Sequence, residues 1–141
     1  MTEYICVEQR DLPLLFQLNR QLIDSYEDLS AIEYEKVLLW VQRNLESMLP
    51  HFRKILFNGV PAGFFCLHKG ELDSLFVFPE FQGLGIGSEV IRYCQSCSPS
   101  LFLYVFRENT RAMALYSRMG FEITRKIGTT RCIMEWKTQD H

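Results

Sequence analysis

Apolar positions return along this chain in two rhythms, and each rhythm predicts an element. Tyr4, Ile5 and Val7 mark a first strand over residues 2–8. Leu15, Leu18 and Leu22 then recur at the spacing of one helix face. Asp11 stands ahead of them as an N-cap candidate, and Pro13 falls in the first turn, where its missing N–H is tolerated. Ser30-Ala31-Ile32-Glu33 has the form of a capping box. Behind it Tyr34, Val37, Leu38, Val41, Leu45 and Met48 keep a helical period until Pro50 ends it.

After Pro50 the rhythm changes. Residues 52–57, 61–68 and 71–78 read as three consecutive antiparallel strands, turned by Asn58-Gly59 and Lys69-Gly70. Residues 86–97 return to a helical pattern that Pro99 breaks. Leu101 to Phe106 is an unbroken apolar run, as expected of a strand buried on both faces. Asn109 caps a further helix that ends at Gly120, with Ala112, Leu115, Tyr116 and Met119 on one face. Two strands, near 121–127 and 130–136, close the series. The order β-α-α-β-β-β-α-β-α-β-β predicts an α/β fold with a mixed sheet (α+β in its grouping) and a single domain over residues 1–141.

Composition narrows the function. The chain is 141 residues long, 48% hydrophobic and 23% charged, an ordinary globular balance. A net charge of -2 with no basic stripe argues against a nucleic-acid partner. No apolar run approaches the ~20 residues that cross a bilayer, so no membrane association is expected. The first residues lack the pattern of a signal peptide, and Cys6, Cys66, Cys94, Cys97 and Cys132 read as reduced thiols of a cytoplasmic protein. Cys94 and Cys97 form a C-x-x-C pair late in a helix, which would put both sulfurs on one face as buried or half-buried packing groups. His51, His68 and His141 are not near that pair in sequence, so no metal site is expected.

The most informative stretch is Gln82-Gly83-Leu84-Gly85-Ile86-Gly87-Ser88, between an apolar strand and a helix start. Glycines there let the backbone turn tightly and present N–H groups to an anion. The helix start adds unpaired N–H groups and a positive dipole end. A dinucleotide G-x-G-x-x-G does not fit, since the third glycine would fall on Ser88 or Val90. The P-loop pattern is absent, and hairpin-linked strands ahead of the loop suit neither fold.

Phe78-Pro79-Glu80-Phe81-Gln82-Gly83-Leu84-Gly85-Ile86-Gly87 resembles the acetyl-CoA pyrophosphate signature Q/R-x-x-G-x-G/A of the GNAT (GCN5-related) N-acetyltransferases. Asn109 to Phe121 resembles the second hallmark of that superfamily, N-x-x-A-x-x-x-Y-x-x-x-G-F. The element order is similar from end to end. The resemblance implies that acetyl-CoA lies in a V opened between the strands at 71–78 and 101–106. The backbone of Phe76 and Val77 would pair with the pantetheine arm. The amides of Gln82, Gly83, Leu84, Gly85, Ile86, Gly87 and Ser88 would hold the pyrophosphate, and Asn109 would reach the pantetheine end while also capping its helix.

The implied reaction is direct attack of an amine on the thioester within a ternary complex. A lysine-like amine has a pKa near ~10.4 and must lose a proton first. Glu71 and Asp73, two apart on a strand, would share a face and are the candidates for base, with Glu71 ahead. Tyr116 is placed by the resemblance beside the leaving sulfur, where it would hydrogen-bond the developing thiolate. Cys66 and Cys132 sit in strand patterns and are given no covalent role. Two segments flank the acceptor region in this superfamily. Asp24 to Asp28 is acidic and would attract a cationic amine, whereas Lys126 to Arg131 is basic and points the other way. A small molecule and a protein amine both stay open as acceptor, as do monomer and homodimer. A non-catalytic acyl-CoA sensor on the same fold is the alternative function, and the retained Tyr116 favours the enzyme.

Overall fold

The computed structural model describes residues 1–139, which leaves His141 outside the described residues. The strands are β1 (Thr2–Cys6), β2 (Phe52–Phe57), β3 (Val60–His68), β4 (Glu71–Val77), β5 (Ser100–Phe106), β6 (Glu122–Ile127) and β7 (Arg131–Lys137). The helices are α1 (Leu12–Tyr26), α2 (Tyr34–Met48), α3 (Ile86–Cys97) and α4 (Thr110–Arg118). The expected order of elements is the observed one. All strands join one sheet in the order β1-β2-β3-β4-β5-β7-β6. Every neighbouring pair is antiparallel except β4 with β5.

Each face of the sheet carries its own core. Leu15, Ile23, Val41 and Leu45 of α1 and α2 pack on Phe52, Phe64 and Cys66. Ile86, Val90, Ile91 and Cys94 of α3, with Tyr116 of α4, pack on Phe65, Leu72, Leu103 and Met134. Adjacent residues of β3 thus enter opposite cores, which is why its apolar run is continuous. The two turn dipeptides take left-handed backbone at both positions, with φ of 51° and 82° at Asn58-Gly59 and 50° and 79° at Lys69-Gly70. That is the turn whose twist matches the flanking strands.

Three local expectations fail, the first two because the polar group had another partner and the third because burial differs along the helix. The capping box does not form, because Ser30 Oγ donates to Asp28 Oδ1 at 2.6 Å and α2 begins at Tyr34. Asp11 does not cap α1 through its side chain. Its carboxylate accepts the Glu8 N–H at 2.8 Å and pairs with Lys54 Nζ at 3.0 Å, an ion pair only 12% and 17% exposed. Cys94 is buried but Cys97 is exposed, so the two sulfurs do not share an environment. Burial, and then Cys97 nearby, pushes the Cys94 thiol up to about 12.

Candidate active site

The site begins where two strands part. β4 and β5 pair in register at one position, Glu71 opposite Phe102, with Phe102 N–H donating to Gly70 O at 2.9 Å. Beyond it they pair no further, so the β5-facing edge of β4 is left without a strand partner. The gap opens a cleft of about 1010 Å³ between α1, α2, β4, β5, α4 and the β6–β7 hairpin. Its far end is bridged. Tyr26 stacks on Phe106 with ring centroids 5.9 Å apart, and Thr130 Oγ1 donates to Glu27 Oε1 at 2.6 Å.

A bulge decides which residues of β4 face this cleft. Cys66 stands opposite Ser74 and Leu67 opposite Leu72, so Asp73 is an extra residue on β4. The packing agrees: Leu72 and Leu75 lie three apart yet enter the same core. The phase of the strand has shifted between them, and Glu71 and Asp73 come to the α1–α2 side. Both line the cleft, and both act on the buried Cys66 thiol, which burial first and then these carboxylates push up to about 12. Burial raises the Glu71 carboxyl above the ordinary range, and Asp73 raises it further. Asp73 is also raised by burial, against the Ser74 hydroxyl at 3.1 Å and the nearby His68. No cation pairs with either carboxylate among the described residues.

Tyr116 reaches the same cleft from α4. Its ring is 8% exposed and packs against Phe121 at 5.7 Å. Burial raises its phenol well above the usual value, so it stays protonated at any ordinary pH. Its hydroxyl makes no hydrogen bond among the described residues, and no buried side-chain polar atom is left unpartnered. That oxygen is therefore not sealed from solvent, and its residue lines the cleft. Asn109 lines the cleft too, and its Oδ1 accepts the Ala112 N–H at 3.3 Å, the capping role read from the sequence.

The glycine loop lies past the end of β4, and its residues from Gln82 to Gly85 are exposed. Gly83 and Gly85 hold φ of 84° and 79°, and a Cβ on either would meet nothing within 4 Å. Gly85 is the N-cap of α3, whose first internal bond is Glu89 N–H to Gly85 O at 3.1 Å. The backbone N–H groups of Gly83, Leu84, Gly85, Ile86, Gly87 and Ser88 have no backbone partner among the described residues. A run of free amides on an open, left-handed turn fits a pyrophosphate. Gln82 differs. Its N–H goes to Pro79 O at 3.3 Å, and its side chain donates to Val77 O at 3.0 Å, so it ties the loop to the strand end. Gly87 differs as well: a Cβ there would stand 3.0 Å from Leu115 Cδ2, so it serves the packing of α3 on α4.

The acidic segment is largely used up locally. Asp24 accepts the Tyr34 hydroxyl at 2.6 Å and lies 3.7 Å from Arg20 Nε, and Asp28 accepts from Ser30. Only Glu27 of that segment lines the cleft. Sequence reading missed Gly63, whose Cβ would fall 1.9 Å from Phe76 O. Nothing in Val60-Pro61-Ala62-Gly63-Phe64 marks that contact. It lies in the pairing with β4, where Gly63 stands opposite Val77, next to a second bulge at Ala62 in the pairing with β2.

Residues 16–121 match the family described as Acetyltransferase (GNAT) family. Peptidyl-lysine N-acetyltransferase YjaB of Salmonella typhimurium is 27% identical over 110 residues, 78% of this chain and 76% of that protein. Its namesake in Escherichia coli is 28% identical over 102 residues, 72% of this chain and 69% of that protein. Two solved structures share the fold. Apo-form YjaB from Escherichia coli has a TM-score of 0.67 at 21% identity, covering 96% of this chain and 95% of that one. PaiA N-acetyltransferase from Thermoplasma acidophilum in complex with coenzyme A has a TM-score of 0.62 at 23% identity, covering 97% and 99%.

Proposed function

This chain belongs to the GNAT acetyltransferase family and is an acetyl-CoA-dependent N-acetyltransferase, and from that premise we propose how its cleft works. The unpaired amides from Gly83 to Ser88 hold the pyrophosphate of acetyl-CoA. The end of β4 at Phe76 and Val77 runs along the pantetheine arm, which meets it once Gln82 releases the Val77 carbonyl, the Phe76 carbonyl being turned to Gly63 of β3, and Asn109 meets that arm from the other wall. Acetyl-CoA supplies the activated acyl group; the remaining work falls to three side chains.

Glu71 accepts the proton of the acceptor ammonium, directly or through one water. Its carboxyl pKa, raised by burial and then by Asp73, narrows the gap to the amine. Asp73 orients the acceptor from the bulge. As the C–S bond of the tetrahedral adduct breaks, Tyr116 donates a hydrogen bond to the departing CoA thiolate. A phenol raised by burial gives up its proton poorly to a thiolate, so hydrogen bonding is its main contribution and the thiolate is protonated by solvent as CoA leaves. The acceptor is an amine, in the first instance a peptidyl lysine, the class that the two YjaB relatives are named for. We assign the chain one catalytic domain over residues 1–141, acting in the cytoplasm as monomer or homodimer; no helix among the described residues is long and apolar enough to cross a membrane.

The observation that carries this reading is the single-register junction at Glu71 and Phe102, since the cleft it opens is lined by both carboxylates and Tyr116. Its test is a thiol-release assay with acetyl-CoA over lysine peptides, amino acids, polyamines and aminoglycosides. Turnover that falls in Glu71→Gln and in Tyr116→Phe supports the assignment. Turnover unchanged in both would leave the cleft without its chemistry.

A further inference from the structure

The basic segment and the carboxylates, which pull in opposite directions along the sequence, line one cleft. Arg131 begins β7 opposite Phe106, and Arg125 of β6 stands opposite Ile133, which in turn faces Tyr104 on β5. Arg125, Arg131, Ile133 and Tyr104 all line the cleft across from Glu71 and Asp73. The Arg131 guanidinium lies 6.0 Å from the centre of the Tyr104 ring. Among the described residues neither arginine meets a carboxylate: the four ion pairs there use Arg10, Arg20, Lys36 and Lys54. The cleft thus has an anionic wall on β4 and two arginines on the β6–β7 hairpin, with Glu27, bound to Thr130 at the hairpin turn, as the one further charged residue of its lining.

We propose that the acceptor is a lysine-type amine carried beside a carboxylate, with the amine at Glu71 and Asp73 and the carboxylate at Arg125 and Arg131. This rests on the amine-acceptor reading above and adds the second charge. Glu71 and Arg131 stand opposite residues four apart on β5, an offset of about 13 Å along the strand. Such a separation exceeds that of an α-ammonium from its own carboxylate. It suits an amine at the tip of a four-carbon stem with the anion near its base, once the arginine side chain has reached inward. A purely cationic acceptor would satisfy one wall and leave the other facing like charge. The anion has two sources: the α-carboxylate of a free amino acid, or an acidic neighbour of a lysine in a peptide.

Two matched comparisons test it by steady-state thiol release. One sets Nα-acetyl-lysine against Nα-acetyl-lysinamide, which differ in a single carboxylate. The other sets blocked pentapeptides with a central lysine flanked by aspartates against the same peptide flanked by arginines. The acidic member of at least one pair should have a KM lower by about tenfold, a preference that added salt erodes. A preference confined to the first pair identifies the free amino acid, and one confined to the second identifies a protein segment. The double variant Arg125→Gln, Arg131→Gln, at two exposed positions, should abolish the preference and leave the KM for acetyl-CoA unchanged. Equal KM within both pairs overturns the proposal, as does a double variant that weakens acetyl-CoA instead of the acceptor. Absence of turnover with every acceptor would overturn the transferase reading instead. Calorimetric binding of the same four acceptors to the protein with CoA then decides this proposal by the same order.

Discussion

Strand β4 has two edges, and they are built for opposite purposes. Toward β3 it is paired from Glu71 to Val77, through a bulge, with Gly63 pressed against the Phe76 carbonyl. Toward β5 it is joined at one residue pair and then leaves its backbone unpaired beside a large cleft. The first edge holds the strand so firmly that the second can be left unsatisfied. Unpaired backbone and paired like charges are costly, and a fold keeps them only where neighbouring structure over-determines their position. The closed seam is therefore a condition of the open one, and each seam is expected to fail in its own way.

The largest expected effect breaks the closed seam. Gly63→Ala would set a Cβ 1.9 Å from Phe76 O, a backbone atom that no rotamer change can move away. We expect a loss of roughly 3 kcal/mol or more, the upper end of overpacking. The comparison is Gly59→Ala, at φ 82° with open space around it, where strain alone should cost about 1 kcal/mol. Urea unfolding midpoints of the two variants check this. Equal loss in both would mean that β4 yields at Phe76 and that the closed seam is soft.

The next effect strikes the open seam and leaves the closed one intact. Tyr116→Phe keeps the buried ring and removes a hydroxyl without a hydrogen-bond partner among the described residues, so stability should barely change. Turnover should fall about 10- to 1000-fold, while binding of acetyl-CoA stays near that of the parent. Single-turnover rates with a productive acceptor and a titration with CoA separate the two quantities.

How much of this division was readable beforehand differs by residue. The glycine loop, Asn109 and Tyr116 were legible because a left-handed turn, a cap and a helix face each impose a local residue choice. Glu71 and Asp73 were legible as a pair, but not the reason that they share a face with the α1–α2 core. That depends on the bulge at Asp73, a property of the pairing with β3. Gly63 looked like any strand residue, since its neighbour is 13 positions on, at Phe76. The charged segments misled for a related reason. Side-chain partners consume Asp24 and Asp28, and only the folded chain shows Arg125 and Arg131 facing Glu71 and Asp73.

A smaller effect than that of Tyr116 is expected from the carboxylates. With Glu71 as base, the rate should climb with pH through a range displaced above that of an ordinary carboxylate, because burial and Asp73 both favour its protonated form. It should then level off. Glu71→Gln should depress the rate near pH 7 and regain part of it near pH 9, where hydroxide and free amine take over. Asp73→Asn should do less. Parent-like profiles in both variants would make solvent the proton sink.

The smallest effect sets the carboxylates of β4 against a carboxylate that is well paired. The folded pKa values of Glu71 and Asp73 are raised, chiefly by burial. The native state therefore holds more protons than the unfolded chain above the ordinary carboxylate range, and stability must fall as pH rises through the raised values. Their protonated contribution is complete below the unfolded pKa values and gone above the folded ones. Asp11 behaves in the opposite sense. Partial burial works to raise it, but the Glu8 N–H and Lys54 outweigh that and lower it. Its contribution is present above the unfolded pKa and is lost as pH falls through the folded one. Thermal unfolding from pH 3 to 8 should thus separate two variants. Glu71→Gln with Asp73→Asn should gain on the parent as pH rises, whereas Asp11→Asn should lose most at neutral pH and converge on the parent in acid. A β4 variant that lost ground with rising pH would mean that the two carboxylates find cations in solution, and that the open seam carries no electrostatic cost.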